Sequence, residues 1–541
     1  MSKKNSLDID NKNIKKPWWK IVTRIIFGST IPQRLFRGYL FLIVVGSVLL
    51  FLPISLQSKG IMQTSDDSKS YSFWDAMFVA CSAITDTGLT PVIVSSTYTI
   101  FGQIVILLLI EIGGLGLITV IFLIWHMLKP KKSIDLNQLI MLQSEKGNEK
   151  IGGTYKTLKI SVIFILCSQL FFAFLMSFWI CFMPLYTQIN IDGVTHTSDN
   201  VLYSLSWDTQ TPINAHHHYG LALWQGLFTA VSSMNNAGFD IFEKGFSIAS
   251  FRNDWNVIFQ LMVMIEIIIG GIGFPLIYDV IQKNNCKRKG VKYKVTLFTK
   301  VALTGYIAVF IVGIASAYGF EYGYPSNIVN SGGLKDIVHY ACSNQEFGKN
   351  EQFNKAWCVL FNTVSTRSAG FATVNQTLFA PGTQWTYIIQ MFIGGSPSST
   401  GGGIRTTTIV IVVWTIISKV IGRERVAMFK RNIPTENIRD SLLVTVVGFA
   451  LIVFCSIIIF YCSPNNSGDT LIQSLYETTS AFGTVGFSMG FTSNVNAVGE
   501  VILILIMFVG QLGISGTLLA WTKKNPRGNL VEYPTESVKI G

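Results

Sequence analysis

The sequence predicts an all-α integral membrane protein, and three observations lead to that fold class. The 541 residues are 49% hydrophobic and only 13% charged, whereas soluble proteins carry about 25% charged residues. Apolar segments such as 40–54, 101–128 and 501–521 are suited to a hydrocarbon layer about 30 Å thick. A shorter apolar stretch that ends near a glycine occurs four times along the chain, which indicates an internal repeat.

Eight apolar segments are predicted as full membrane spans, and they fall into four pairs. They cover residues 35–56, 99–128, 157–186, 256–281, 296–320, 384–420, 437–462 and 497–522. Each pair encloses one of the shorter stretches, at residues 73–85, 221–234, 353–365 and 471–482. Such stretches are too short to cross the bilayer, so each predicts a re-entrant half-helix.

The basic residues are unevenly distributed and predict the orientation. Lys and Arg crowd segments 3–37, 129–159, 283–300 and 419–439, whereas 188–219 contains three Asp and neither Lys nor Arg. The positive-inside bias therefore places the basic segments and both termini in the cytoplasm of a multi-pass plasma-membrane protein. Because every basic cluster adjoins an apolar span, the charge favours membrane lipid over nucleic acid as the surrounding partner.

The chain is accordingly divided into four repeats and their connections. These are a basic N-terminal segment 1–34, repeat 1 at 35–128, a cytoplasmic linker 129–156, repeat 2 at 157–281, a basic loop 282–295, repeat 3 at 296–420, a cytoplasmic loop 421–436, repeat 4 at 437–522 and a C-terminal tail 523–541.

Each half-helix continues into a similar glycine-containing segment. The four continuations are ITDTGLT (84–90), MNNAGFD (234–240), TRSAGFA (366–372) and FGTVGFS (482–488). Non-helical backbone at membrane depth survives only where it is buried or lines a water-filled path. Glycine lets a carbonyl turn toward a shared axis, where a ring of carbonyls can replace the hydration shell of a cation.

This pattern predicts an ion-binding selectivity filter. Its candidate residues are Thr87, Gly88, Ala237, Gly238, Ala369, Gly370, Val485 and Gly486. The C-terminal ends of the half-helices would add negative potential at the same centre. A glycine that merely ends a helix would explain one such loop, but it explains four in register poorly.

The second spans are rich in glycine, and the third differs from the other three. MFIGGSPSSTGGGIRTTT (391–408) cannot hold a regular helix, so we expect a break in this copy alone. The break predicts a mobile loop across the conduction path, whereas a kink that only eases helix packing is the alternative. The candidate gating residues are Gly394, Gly395, Ser396, Pro397, Ser398, Ser399, Thr400, Gly401, Gly402 and Gly403.

Charged residues within the apolar segments are functional candidates by default. We expect Arg367 to brace the filter by donating to carbonyls or to an acid such as Glu477. Asp86 would either concentrate cations at the mouth or cap its own loop. For Glu111 and Glu266, hydrogen bonds between helices are favoured over ion binding.

Enzymatic and metal-binding functions are not predicted. The eight cysteines form no CxxC pair and are interpreted as buried apolar residues, and the histidine run 216–218 does not indicate a transition-metal site. No Walker-type lysine motif occurs. A GISG segment around Ser515 resembles a serine-hydrolase pattern, but no histidine lies centrally in a span to activate it.

STRSAGF (365–371) and GGSPSSTGGGIRT (394–406) resemble the Trk/Ktr/HKT superfamily of potassium transporters, most closely its bacterial KtrB/TrkH-type membrane subunit. The resemblance covers about residues 35–522. It implies four pseudo-repeated M1–P-loop–M2 units around a central pore, with eight transmembrane helices and four re-entrant pore helices. It also implies an intramembrane gating loop at 394–403, a homodimer, and a separate cytosolic RCK-type regulatory ring (KtrA/TrkA-like) that binds nucleotide.

The expected function is potassium uptake, with K⁺ as the transported ion and no organic cofactor. In the superfamily, glycine in all four filters accompanies potassium selectivity, and this chain has glycine in all four. A sodium-conducting or sodium-coupled transporter of the same fold is the alternative. One departure concerns the gate, because Gln511 stands where the superfamily usually carries an arginine that faces the gating loop. A neutral amide cannot provide the same electrostatic barrier to cations.

Overall fold

A computed structural model defines the fold of most of the apolar chain. The residues that it describes are 31–57, 71–117, 119–120, 154–182, 186–191, 194–199, 201–202, 213–214, 219–242, 256–323, 351–462, 471–492 and 495–514. Most of the predicted N-terminal segment 1–34 and linker 129–156, the tail 523–541 and Ser515 lie outside the described residues.

Four long helices correspond to the first predicted span of each pair. They are α1 (Ile31–Phe51), α4 (Thr154–Phe182), α8 (Leu297–Gly323) and α12 (Thr435–Tyr461). In the described part of the chain, these are the four single helices long and apolar enough to cross a membrane. Large apolar side chains such as Phe174 and Phe454 stay exposed along them, as expected for surfaces that face lipid.

Four short helices correspond to the predicted half-helices. They are α2 (Phe73–Ile84), α5 (Tyr219–Met234), α9 (Glu351–Ser365) and α13 (Leu471–Gly483). At 12 to 16 residues, they reach about 18–24 Å at 1.5 Å per residue, which is less than the hydrocarbon thickness. The start of α2 is fixed by a capping box, in which Ser72 and Asp75 accept each other's backbone N–H groups.

The second predicted spans are interrupted in all four copies, so the expectation of a break in the third copy alone is wrong. The helices involved are α3 (Ile100–Leu115), α6 (Asn256–Ile272) with α7 (Phe274–Arg288), α10 (Pro381–Phe392) with α11 (Thr406–Val420), and α14 (Ala497–Leu512). Gly116, Gly273 and Gly513 end their helices with φ of 89°, 91° and 78°. Glycine adopts this backbone readily, which is why the helix stops there.

The number of spans depends on how these interruptions are treated. The described residues give four spans, or five when α6 and α7, which meet at 94°, are taken as one broken span. Parts of the predicted spans 99–128 and 497–522 lie outside the described residues.

Tryptophan–glutamine hydrogen bonds join successive units. Trp224 Nε1 in α5 donates to Gln103 Oε1 in α3 at 2.8 Å, and Trp357 Nε1 in α9 donates to Gln260 in α6 at 2.6 Å. Each bond links the second helix of one unit to the short helix of the next. The short helices of the second and third units are thereby attached to the unit that precedes each of them.

A buried aspartate connects the basic loop to the helices on either side of it. Asp279 of α7 accepts hydrogen bonds from Tyr293, Thr296 and Thr299, which ties the basic loop to the start of α8. Burial and the neighbouring Asp279 raise the pKa of Tyr293 to about 12, so its hydroxyl remains a donor at neutral pH.

The described residues also form three two-stranded antiparallel sheets, which the sequence did not predict. They pair β1 (Tyr186–Ile191) with β2 (Val194–Asp199), β3 (Val201–Leu202) with β4 (Ile213–Asn214), and β5 (Ala427–Met428) with β6 (Arg431–Asn432).

Candidate ion site at the four glycine tips

The four segments that follow the short helices meet at one centre. We call residues 86–88, 236–238, 368–370 and 484–486 the tips. A Cβ atom added to the glycine of any tip would lie under 3.0 Å from the backbone of the next tip. The close approaches run from Gly88 to Ala237 O, from Gly238 to Ala369 O, from Gly370 to Val485 O and from Gly486 to Thr87 O. The contacts return to their starting point, so the tips form a closed ring in chain order.

Every tip has the same unusual backbone. The four glycines have φ of 85°, 70°, 73° and 96° in chain order. The residue two positions earlier also has positive φ, namely Asp86 (50°), Asn236 (58°), Ser368 (69°) and Thr484 (47°). Glycine is therefore required at these four positions both by its φ and by the adjacent tip.

Thr484 is the most strained of these residues. Asp and Asn enter the left-handed region more readily than other residues, whereas a β-branched side chain there is a genuine outlier. The conformation costs about 1–2 kcal/mol for a residue with a Cβ. Strain of this kind persists where surrounding contacts hold it, often at functional sites.

Backbone hydrogen bonds engage the N–H groups of the residues that precede the filter glycines. The N–H groups of Thr87, Ala237 and Val485 donate to the fifth carbonyl before them at 2.8–2.9 Å, and Ala369 N donates to Ser365 O at 3.0 Å. Among the described residues, no backbone N–H donates to the carbonyl oxygens of these four residues. The ring therefore presents oxygens at the negative C-terminal ends of four short helices, an arrangement suited to a cation.

Glycines of the second helices allow those helices to pack directly behind the tips. A Cβ on Gly113, Gly270 or Gly510 would collide with the carbonyl oxygen of Ile84, Met234 or Phe482, respectively. Each of these carbonyls lies at or near the end of the short helix in the same unit. Small residues thus serve close helix contact here, which supports the backbone of each tip from outside the ring.

Residues 393–405, which we call the intramembrane loop, connect α10 to α11 and cross between units. Ser396 N donates to Gly271 O at 3.1 Å, at the end of α6. Gly403 N donates to Gly510 O at 3.2 Å, near the end of α14. The loop therefore spans from the second unit to the fourth and contacts the tips at Asn236, Ser368 and Thr484.

Arg367 anchors the start of this loop. Its side chain is 1% exposed. Nη1 donates to Ile393 O at 2.6 Å and Nη2 donates to Gly394 O at 2.9 Å, while the guanidinium lies 4.9 Å from the ring centre of Tyr306. Backbone carbonyls were one of the two kinds of partner expected for Arg367.

Glu477 was the other expected partner of Arg367, and that pairing is wrong. Its Oε1 accepts from the Ser488 hydroxyl and from the backbone N–H groups of Met489 (3.1 Å) and Phe491 (3.3 Å). Oε2 accepts from Thr492 Oγ1 at 3.0 Å. The carboxylate therefore fixes the segment that follows the fourth tip.

The other acidic residues that the sequence singled out, Asp86, Glu111 and Glu266, also lie within the protein. Asp86 is fully buried, and a Cβ on Gly113 would lie 3.2 Å from its Oδ1, which places it beside α3. Glu111 accepts from Asn235 Nδ2 at 2.8 Å and from Gln169 Nε2 at 3.1 Å. Glu266 accepts from Ser233 of α5. Both glutamates therefore make the bonds between helices that the sequence favoured.

Gln511 and Arg405 contact the later part of the loop. Gln511 Nε2 donates to Thr400 O at 3.4 Å, and Arg405 Nη1 donates to Gly401 O. Arg405 was not among the predicted site residues, although a basic residue within GGGIRTTT is a signal that could have identified it. Asn236, Ser368 and Thr484 were not predicted either, because their importance comes from a backbone conformation that residue type does not reveal.

The described residues contain no cluster of three or more His, Cys, Asp or Glu that could hold a metal ion.

Comparison with known proteins identifies the family to which this chain belongs. The model of the TrkH family, described as a cation transport protein, matches residues 47–533. The chain belongs to this family. It is therefore a cation transporter of the Trk/Ktr superfamily and a multi-pass membrane protein.

Individual relatives cover nearly the whole chain. The chain is 34% identical to an uncharacterized cation transporter of Mycoplasma pneumoniae, over 97% of this chain and 98% of the relative. It is 30% identical to the Ktr system potassium uptake protein B of Bacillus subtilis, over 95% and 97% of the two chains. The crystal structure of the potassium transporter TrkH from Vibrio parahaemolyticus matches with a TM-score of 0.56 and 16% identity, over 90% of this chain and 85% of that one. The last likeness concerns the fold.

Proposed function

We propose that this protein takes up potassium across the cell membrane through a pore whose selectivity filter is the ring of tips. The observation that carries the proposal is the closed sequence of contacts from Gly88 through Gly238 and Gly370 to Gly486. Carbonyl oxygens on a common axis can replace the water of a monovalent cation. The name of the Bacillus subtilis relative, a potassium uptake protein, supports potassium as the ion.

The proposed architecture is four M1–P-loop–M2 units around one pore, with eight transmembrane segments and four re-entrant pore helices. The four long helices and the four short helices that end at the ring support this organisation. Both termini lie in the cytoplasm in this proposal, because the basic segments favour that side. The membrane potential drives uptake, since each 100 mV contributes about 2.3 kcal/mol per charge.

The intramembrane loop is the proposed gate. Its bonds to Gly271 O and Gly510 O carry it from the second unit to the fourth beside the ring, and in this proposal it lies on the cytoplasmic side and obstructs an ion that leaves the filter. Residues Gly394–Gly403 and Gln511 form this gate, and Asp86, Arg367 and Glu477 support the filter. By the family resemblance, the protein works as a homodimer in membrane lipid with a cytosolic RCK-type ring that binds nucleotide.

The filter proposal is tested by replacing one tip glycine. Gly370→Ala places a Cβ against Val485 O and strains a backbone with φ of 73°, so we expect loss of potassium uptake in a cell deficient in its own potassium uptake. Gly319→Ala is the matched control, because a Cβ there meets nothing within 4 Å. Membrane levels of both variants should be compared by immunoblot.

Normal uptake by the Gly370 variant at equal membrane level would refute the filter assignment. Competition between Rb⁺ and Na⁺ in proteoliposomes then identifies the ion. Equal flux of the two ions would favour the sodium-conducting alternative over potassium uptake.

A further inference from the structure

Three consecutive residues of the intramembrane loop contact three tips in succession. The contacts are Thr400 with Asn236, Gly401 with Ser368, and Gly402 with Thr484. In each tip, the contacted residue is the one with positive φ two positions before the filter glycine. The loop therefore touches the same structural position in the second, third and fourth units.

The contact with Thr484 is a direct hydrogen bond. Gly402 N donates to Thr484 Oγ1 at 2.7 Å, and both residues are buried. The contact with Asn236 uses its amide oxygen, which accepts from Thr400 Oγ1 at 3.2 Å in the amide orientation that satisfies its other neighbours. Against Ser368 the loop packs so closely that a Cβ on Gly401 would lie 2.7 Å from it.

Thr484 is also connected to the ion path through the backbone. Its neighbour Val485 carries the carbonyl that closes against Gly370 in the ring. On the helix side this tip is fixed, since Val485 N donates to Ser480 O and Gly486 N donates to Ser480 Oγ. On the loop side, the bond from Gly402 holds a β-branched residue at φ of 47°.

Release of that bond would let Thr484 leave the left-handed region, because a β-branched residue occupies that region only when neighbouring groups hold it there. Rotation at Thr484 redirects the Val485 carbonyl that follows it. Discrimination between K⁺ and Na⁺ depends on the number and placement of filter carbonyls.

We propose that Thr484 is a positioning residue for ion discrimination, through which the intramembrane loop holds the fourth filter carbonyl in its potassium-selective orientation. This inference rests on the proposed function. The loop then contributes to ion selectivity as well as obstructing the pore. Displacement of the loop lowers the discrimination between K⁺ and Na⁺ and raises the flux of both ions.

The experiment uses the full-length protein in proteoliposomes and measures the ratio of half-saturating Na⁺ to half-saturating K⁺. Thr484→Val removes the acceptor and keeps the branched shape, so we expect the ratio to fall about fivefold, as for the loss of one hydrogen bond. Thr484→Ser keeps the acceptor and should retain the wild-type ratio. Thr478→Val is the matched control, because Thr478 is equally buried in α13 and its hydroxyl donates to Ser474 O of its own helix.

A second variant breaks the contact from the loop side. A Cβ on Gly402 would lie 2.5 Å from Thr484 Cγ2, so Gly402→Ala should push the loop away and lower the ratio in the same direction. Because both substitutions break one contact, the double variant should show no larger change than the stronger single variant. If Thr484→Val does not fold, Gly402→Ala alone tests whether the contact between the loop and Thr484 controls the ratio.

The outcomes separate the two proposals. An unchanged ratio in a transporting Thr484→Val or Gly402→Ala protein, an equal shift in Thr478→Val, or additive effects in the double variant would overturn the role of Thr484 and leave the proposed pore intact. Absence of cation flux through the wild-type protein would overturn both.

Discussion

The breaks at Gly273 and at the intramembrane loop lie at similar places in two units, and they differ in what they do. Between α6 and α7 a single glycine with φ of 91° turns the chain by 94°. Between α10 and α11 the break extends over residues 393–405 and reaches the second and fourth units. An interrupted second helix is therefore general in this chain, whereas the third interruption is long enough, and its side chains small enough, to contact both the second and the fourth unit.

The two breaks also touch each other. A Cβ on Gly273 would lie 2.8 Å from Pro397 O, so the short break forms part of the surface on which the long one rests. Three substitutions test the comparison, beginning with the anchor of the long break.

Arg367→Gln should have the largest effect, because it removes the guanidinium that holds Ile393 O and Gly394 O. Hydrogen bonds from a buried charged group contribute about 1.5–3 kcal/mol each, so we expect the free energy of unfolding to fall by about 3 kcal/mol. Thermal unfolding in detergent and potassium flux measure the result.

Arg439→Gln is the control for that substitution. Arg439 pairs with Asp440 at 3.6 Å on the surface, where the two side chains are 76% and 67% exposed, and such pairs contribute little. Equal thermal stability of the Arg367 and Arg439 variants would show that the loop does not depend on its buried anchor.

Gly273→Ala should destabilise the protein by about 2 kcal/mol, since it combines left-handed strain with a collision against the loop. Gly290→Ala isolates the strain, because Gly290 has φ of 68° and nothing within 4 Å of an added Cβ. We expect it to cost about 1 kcal/mol and to leave flux unchanged. If Gly290→Ala alters the unfolding temperature and flux as much as Gly273→Ala does, then the contact between the two breaks contributes to neither stability nor transport.

Gln511→Arg should have the smallest effect, a decrease in flux of about tenfold with little change in stability. Gln511 Nε2 lies 3.4 Å from Thr400 O, so a cationic side chain there would repel an ion that leaves the filter. Gln511→Met is the neutral control of similar length and should retain flux. A decrease in flux with methionine equal to that with arginine would indicate a steric cause in place of charge.

The sequence predicted the elements that depend on residue type and missed those that depend on conformation. Apolar length distinguished the long helices from the short ones, and α2 begins and ends within a residue of its predicted range. The family assignment, carried by STRSAGF and GGSPSSTGGGIRT, is confirmed.

Other features could not be predicted, for physical reasons. Gly116 and Gly513 end helices because they adopt positive φ, but in the sequence they resemble glycines that serve packing, such as Gly113. The sequence proposed backbone carbonyls or an acid for Arg367, but it could not identify the carbonyls of Ile393 and Gly394, because folding brings them close without a signal in residue type. The roles of the filter and gate residues stay predictions until the variants above are measured.

One polypeptide supplies all four sides of the ring, and this has a consequence for its chemistry. A channel assembled from four identical subunits must carry the same side chain at each equivalent position, so its field is fourfold by necessity. Here the equivalent positions hold Asp86, Asn236, Ser368 and Thr484, an acid, an amide and two alcohols. Substitutions can therefore change each side of the ring independently, and an ion in the proposed filter would meet an asymmetric electrostatic environment within a nearly symmetric backbone.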